Sequence, residues 1–277
     1  MGLKVLAKRV AGPIAAWAAE RQVNEDRILA PILCYHGVAC KAAPEHVGAA
    51  EFTDQMRAAA AGGRFRPLGE IVDLVMSGVE PIASIKPGLA LTFDDGYANL
   101  LEYALPSLSA FSLPATVFVV PGRLGQVAAW PSPAPVTERR LLTLDEVERL
   151  RDLGLEVGAH GWTHIDLTTC TAQQRSDEIG RCFEFLTSRL GVSRPIFCYP
   201  WGRFDDEVVA EVRRAGFVSA VAGGWGRLHR RADLFSLRRV AIDWTDTISD
   251  FNWKLRGGYG WWTASWWREL RDSGKTG

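Results

Sequence analysis

The chain has 277 residues, enough for one large α/β domain or two small ones. At 47% apolar and 23% charged residues it can bury a sizeable core, which excludes a disordered chain. Its 32 basic and 32 acidic residues cancel, so there is no electrostatic case for nucleic acid as a partner.

Residues 1–29 open with "MGLKVLAKRVAGPIAAWAAERQ". Basic residues precede a short, alanine-rich apolar run broken at Gly12-Pro13, which reads as an amphipathic helix rather than a leader. No stretch reaches the roughly 18 apolar residues that a bilayer span needs. The segment "APILCYHGV" (30–38) predicts a buried strand ending at His36, and 51–63 a helix stopped by glycine. A short strand and a second helix follow in "RFRPLGEIVDLVMSG". "GLALTFDD" (88–95) is an apolar strand running into two acids, and "YANLLEYALPSLSAF" is helical. "PATVFVV" (114–120) is a β-branched strand, and the proline-rich residues 121–141 form a long loop. A helix over 143–154 starts with a capping box, Thr143 and Glu146. Then come a strand ending at His160, a helix over 171–191, a strand and turn in "PIFCYPWG" (195–202), another helix, and the strand "FVSAVAG". Alternating strands and helices predict a largely parallel sheet built from βαβ units.

The polar residues collect at strand ends. His36, Asp94 with Asp95, His160 and the YPWG turn each follow a predicted strand, at the edge where α/β folds assemble their sites. In "HGWTH", His160 and His164 are four apart, so one helical turn would bring both imidazoles to a common face. Two imidazoles and one carboxylate make a three-ligand metal site with an open position, and a metal there acidifies its water. The second of the paired carboxylates is then free to act as a base. A lone D-D-G is most often a turn, and a lone H-x-x-x-H is often a solvent-facing pair. Their coincidence at strand ends carries the reading. The five cysteines, Cys34, Cys40, Cys170, Cys182 and Cys198, form no C-x-x-C pair and suit reduced thiols in a cytoplasmic protein.

"LTFDDGY", "GAHGWTHIDL" and "FCYPWG" resemble the first three motifs of the polysaccharide deacetylases, the NodB-homology group, over about residues 30–242. The resemblance implies an α/β fold, a distorted (β/α)7-type barrel at 30–245 flanked by the extension 1–29 and a Trp-rich extension at 246–277. It implies hydrolysis of N-acetyl groups on amino sugars with a divalent metal, zinc first. On this pattern Asp94 is the general base, and Asp95, His160 and His164 hold the metal. Trp201 would offer a backbone N–H to the oxyanion, and Tyr97, Tyr199, Pro200 and Trp201 would shape the substrate pocket.

This sequence departs from the pattern in three places. Gly161 stands where the family has Ser or Thr. Cys198 stands where the third motif begins with an arginine that orients the base. A branch found among exopolysaccharide deacetylases also lacks that arginine and carries a late segment similar to "LRRV" (237–240), so Arg239, with Arg238 as the alternative, is expected to hold Asp94. The late Leu-x-His motif that carries the general acid is absent; the N-terminal "CYHGV" resembles that branch, and His36 takes the role. His46 is given no role.

The C-terminal segment holds five of the eleven tryptophans, Trp253, Trp261, Trp262, Trp266 and Trp267, interleaved with cations. That composition suits peripheral contact with the cytoplasmic face of the inner membrane, packing on the barrel or a partner, or sugar stacking. The expected partner is an N-acetylated glycan, polymeric or lipid-linked. Hydrolysis of another linear amide and a non-catalytic glycan-binding module remain as other classes.

Overall fold

The computed structural model describes residues 28–62, 64–77 and 88–255. Seven strands form its centre: β1 (Ile32–Tyr35), β2 (Gly88–Phe93), β3 (Thr116–Val119), β4 (Glu156–Ala159), β5 (Ile196–Cys198), β6 (Ser219–Trp225) and β7 (Leu237–Ala241). All pair in parallel, each with its neighbours in sequence, and β7 and β2 both pair with β1, so the sheet closes into a barrel. Closure removes the sheet edges that an open sheet would expose. The expected fold is the observed one. A short strand, Arg64–Phe65, pairs beside the start of β2, and Gly37–Ala39 pairs with His46–Gly48 on the rim.

Helices α1 (Ala49–Gly62), α2 (Leu68–Ser77), α3 (Leu100–Tyr103), α4 (Leu105–Ala110), α5 (Leu144–Asp152), α6 (Ala172–Glu184), α7 (Asp206–Ala215) and α8 (Ile248–Leu255) accompany the barrel. The Thr143–Glu146 capping box forms as expected, and Thr171 with Gln174 makes a second. Both satisfy backbone N–H groups that a bare helix start would leave open.

Strand side chains alternate between two apolar clusters, as a two-residue period requires. Leu33, Leu91, Val117, Val157, Phe197 and Val240 pack outward with the helices. Ile32, Ala90, Phe118, Ile196, Val221 and Leu237 form the other cluster, inside the barrel. Leu68, Ile71, Val72 and Val75 of α2 belong to that inner cluster, so α2 plugs the N-terminal mouth. Among the described residues, this apolar cluster covers the barrel interior from below.

The described ends of the chain pack on the barrel. Ile28–Leu29 pairs with Leu228–His229, and the buried His229 shares a 2.9 Å hydrogen bond with the Ala30 carbonyl. In α8 the buried Lys254 ammonium donates to the Ala241 carbonyl and to Asp246. Of the predicted extensions, most of 1–29, and Trp261, Trp262, Trp266 and Trp267, lie outside the described residues. No described helix is long and apolar enough to cross a membrane.

Ile71 is fully buried in the plug. Ile71→Ala is expected to destabilise the protein by about 2–5 kcal/mol, measured by urea denaturation, because the truncation leaves a cavity in a fully packed cluster.

Candidate active site

Inward parity places the site. Ile32, Ala90, Ile196 and Leu237 face inward. Stepping two residues on along each strand reaches Cys34, Thr92 and then Asp94, Cys198, and Arg239. Asp94 is 3% exposed and Arg239 4% exposed, so this is a buried ion pair. The guanidinium is bidentate: Nη1 donates to Asp94 Oδ1 at 2.7 Å and Nη2 to Oδ2 at 2.6 Å. Nε donates to the Ala222 carbonyl, Nη1 also to Thr92 Oγ1 and Nη2 also to Cys198 Sγ, so five contacts fix the head group. Arg238 is exposed on the opposite face of β7. The choice left open between Arg238 and Arg239 thus falls to Arg239.

Burial alone would raise the Asp94 pKa. The charge and hydrogen bonds of Arg239 outweigh burial and hold this carboxyl well below the usual carboxylate range. Asp94 is therefore an anion at neutral pH.

Asp95 points elsewhere. Its φ is +67°, the left-handed region, and Gly96 follows at +69°. This turn swings the second carboxylate away from Arg239 and towards the histidines. Asp95 Oδ1 lies 3.6 Å from His160 Nε2 and 3.2 Å from His164 Nε2. His164 (+67°) and Trp201 (+61°) are also left-handed, so three of the five non-glycine residues at positive φ belong to the predicted site. Such conformations cost about 1–3 kcal/mol each and persist where the surroundings enforce them.

The two histidines do not meet through a helical turn. Residues 161–164 form an irregular loop in which Gly161 (+72°) and His164 are left-handed, and this loop brings the rings to 4.8 Å between centroids. The spacing argument named the right pair through the wrong geometry. Gly161 also explains the missing hydroxyl: a Cβ there would lie 2.8 Å from Pro200 Cγ. Thr163 replaces it as anchor, donating its backbone N–H and hydroxyl to the buried Glu178 on α6.

The trio fits a divalent metal. Bonds of about 2.1 Å in a tetrahedral site put donor atoms about 3.4 Å apart, which the Asp95–histidine distances match. Asp95 Oδ1 is buried with no hydrogen-bond partner, the kind of orphaned atom an ion would satisfy. His160 is kept neutral by burial, its pKa pushed down to about 4. Its Nδ1 bonds the Cys198 carbonyl at 2.9 Å, which leaves the Nε2 lone pair facing Asp95.

The remaining predicted residues divide. His36 is half-buried between β1 and the Gly37–Ala39 strand, near enough for its charge to lower the pKa of both Asp94 and Asp95. Trp201 is 42% exposed at the rim, its ring 5.0 Å from that of His164. Pro200 is buried against Gly161. Tyr97 and Tyr199 are both buried; burial and the neighbouring Asp95 carboxylate raise the pKa of the Tyr97 hydroxyl, which lies beside the site. Tyr199 sits at an outward position and donates its hydroxyl to the Phe235 carbonyl, and Tyr97 is fully buried with Trp130 and Leu141 beneath loop 121–141.

Sequence reasoning missed several neighbours. Trp130, from the loop, stacks on His164 with centroids 4.1 Å apart and planes 24° apart. His46 is fully buried with its ring 5.1 Å from that of Tyr97, and it occupies the space a side chain at Gly37 would need. Cys34 and Cys198 both touch Asp94. The only signal for Trp130 was a lone indole in a proline-rich loop.

Fold and site together define a closed parallel barrel with a two-histidine, one-aspartate centre and a separately held carboxylate beside it. Residues 83–220 match the family model described as polysaccharide deacetylase. YxkH of Bacillus subtilis, named as a polysaccharide deacetylase, is 24% identical over 152 residues, 55% of this chain and 50% of that protein. Chitin deacetylase 1 of Cryptococcus neoformans is 24% identical over 131 residues, 47% of this chain and 24% of that protein. The chain spans half or less of the length of these curated relatives. The Streptococcus pyogenes deacetylase PplD, solved in complex with acetate, shares the fold with a TM-score of 0.70 at 22% identity, over 84% of this chain and 99% of that one. IcaB from Ammonifex degensii gives 0.66 at 21% identity, over 82% and 97%. The chain belongs to the polysaccharide deacetylase family.

Glu178 touches neither substrate nor metal position, but it holds the loop between the two histidines. Glu178→Ala is expected to weaken zinc binding about 10–100-fold with the fold intact, measured by calorimetric titration of metal-free protein.

Proposed function

We propose that the protein hydrolyses the N-acetyl group of an amino sugar in a polysaccharide or lipid-linked glycan, with a divalent metal, zinc first. The observation that carries this reading is the division of the adjacent acids. Arg239 claims Asp94, and the histidines claim Asp95.

A divalent ion held by Asp95, His160 and His164 would supply Lewis-acid polarisation of the amide carbonyl and acidify water. The chain's own residues do the rest. Asp94, kept ionised by Arg239, takes the proton of the attacking water. Stacking by Trp130 fixes the His164 ring from one side. The Trp201 backbone N–H serves the oxyanion of the tetrahedral intermediate. His36 gives a proton to the leaving amine, so acetate and a free amino sugar result. The delivery of the guanidinium from β7 supports an exopolysaccharide-type substrate. The same proposal places the protein in the cytoplasm or on the cytoplasmic face of the inner membrane; support comes from the tryptophans and cations of residues 253–271.

Asp94→Asn tests the reading. Acetate release from N-acetylated glucosamine oligomers is expected to fall at least about 100-fold while zinc still binds. Full activity in that variant overturns the assignment.

A further inference from the structure

We propose that Cys34 and Cys198 are positioning residues that clamp one oxygen of Asp94 and so dedicate the other to proton transfer; this rests on the reading of Asp94 as the base. Both thiols donate to the same atom. Cys34 Sγ lies 3.5 Å and Cys198 Sγ 3.6 Å from Asp94 Oδ2, which also accepts Arg239 Nη2 at 2.6 Å. Oδ1 accepts one protein donor, Arg239 Nη1 at 2.7 Å. A carboxylate oxygen carries two lone pairs. Three donors share the two lone pairs of Oδ2 and leave it none free, and Oδ1 keeps one lone pair for a proton.

The clamp is closed on its far side. Arg239 Nη2 also donates to Cys198 Sγ at 3.3 Å, so guanidinium, thiol and carboxylate form a ring of three contacts. Rotation of the carboxyl plane, which would exchange its two oxygens, has to break both the fork and the thiol contacts. Cys34 is 6% exposed and Cys198 fully buried. A neutral thiol carries one S–H, so each cysteine has one proton to give to Oδ2.

Sulfur suits this place. Cys198 belongs to the inner apolar cluster, and a thiol packs there as a small hydrophobe while offering a weak S–H. A hydroxyl would donate more strongly and pack less well. That opposition yields a test in which packing and positioning predict different orders.

The experiment compares Cys34→Ala, Cys34→Ser, Cys198→Ala and Cys198→Ser in the zinc-loaded full chain, with Asp94→Asn as control. The substrate is 4-nitrophenyl acetate, whose hydrolysis needs a base and an oxyanion site but no sugar contact. Each alanine variant is expected to lower kcat roughly tenfold with KM within about twofold. Each serine variant is expected to recover most of kcat while lowering Tm further than alanine does. Activity that follows Tm, or equal kcat in alanine and serine variants, overturns the clamp. If Asp94→Asn keeps wild-type kcat, the reading of Asp94 as base fails instead.

Discussion

The structure turns on one buried ion pair. Asp94 and Arg239 lie in the barrel interior, where an unpaired ion would cost several kcal/mol in lost hydration. The fork geometry, with two short charge-assisted bonds, offsets that loss and fixes the carboxylate in one plane. It also resolves the tension of two adjacent acids. Side by side in one environment, one of them would be driven to protonate. Here Asp94 meets a guanidinium, and the left-handed turn at Asp95 carries the next carboxylate to two imidazoles. Both stay ionised because they no longer share surroundings.

Closure of the barrel makes this pairing possible. Seven parallel strands bring alternate side chains to one axis, and the α2 plug covers that axis from below. Low local dielectric strengthens each contact in the ring of Asp94, Arg239, Thr92, Cys34 and Cys198. The candidate metal trio stands one step higher, on loops rather than strands. Its precision comes from side-chain props: Glu178 under Thr163, the Cys198 carbonyl on His160, and Trp130 on His164.

The local signals in the sequence were strong where local physics decides. Apolar runs ended in Asp94, His160 and the YPWG turn, and Thr143 with Glu146 announced a helix start that forms as read. Contacts from distant sequence were not legible. Nothing local ties Trp130 to His164, or Glu178 to the loop fifteen residues before it, because those pairings arise only once the barrel closes. Tyr199 stands beside the third motif in sequence, while strand parity turns its hydroxyl outward to the Phe235 carbonyl. The HGWTH spacing is compatible with a helix, but Gly161 and the neighbouring Pro200 impose a different path.

The arginine's change of strand is the last link. The family's third motif carries it at the position of Cys198 on β5, whereas here it comes from β7, with β6 between. Both positions are inward-facing and border the same layer, so a guanidinium from either strand can reach Asp94. Moving the long side chain to β7 leaves a small volume at position 198 beside a carboxylate. Alanine would fill part of that volume without a donor, and a larger polar group would crowd Arg239, whose Nη2 is already 3.3 Å from the sulfur. A thiol fits both limits, and Cys34 meets the same requirement from β1. The two cysteines thus read as the local consequence of where the arginine was placed.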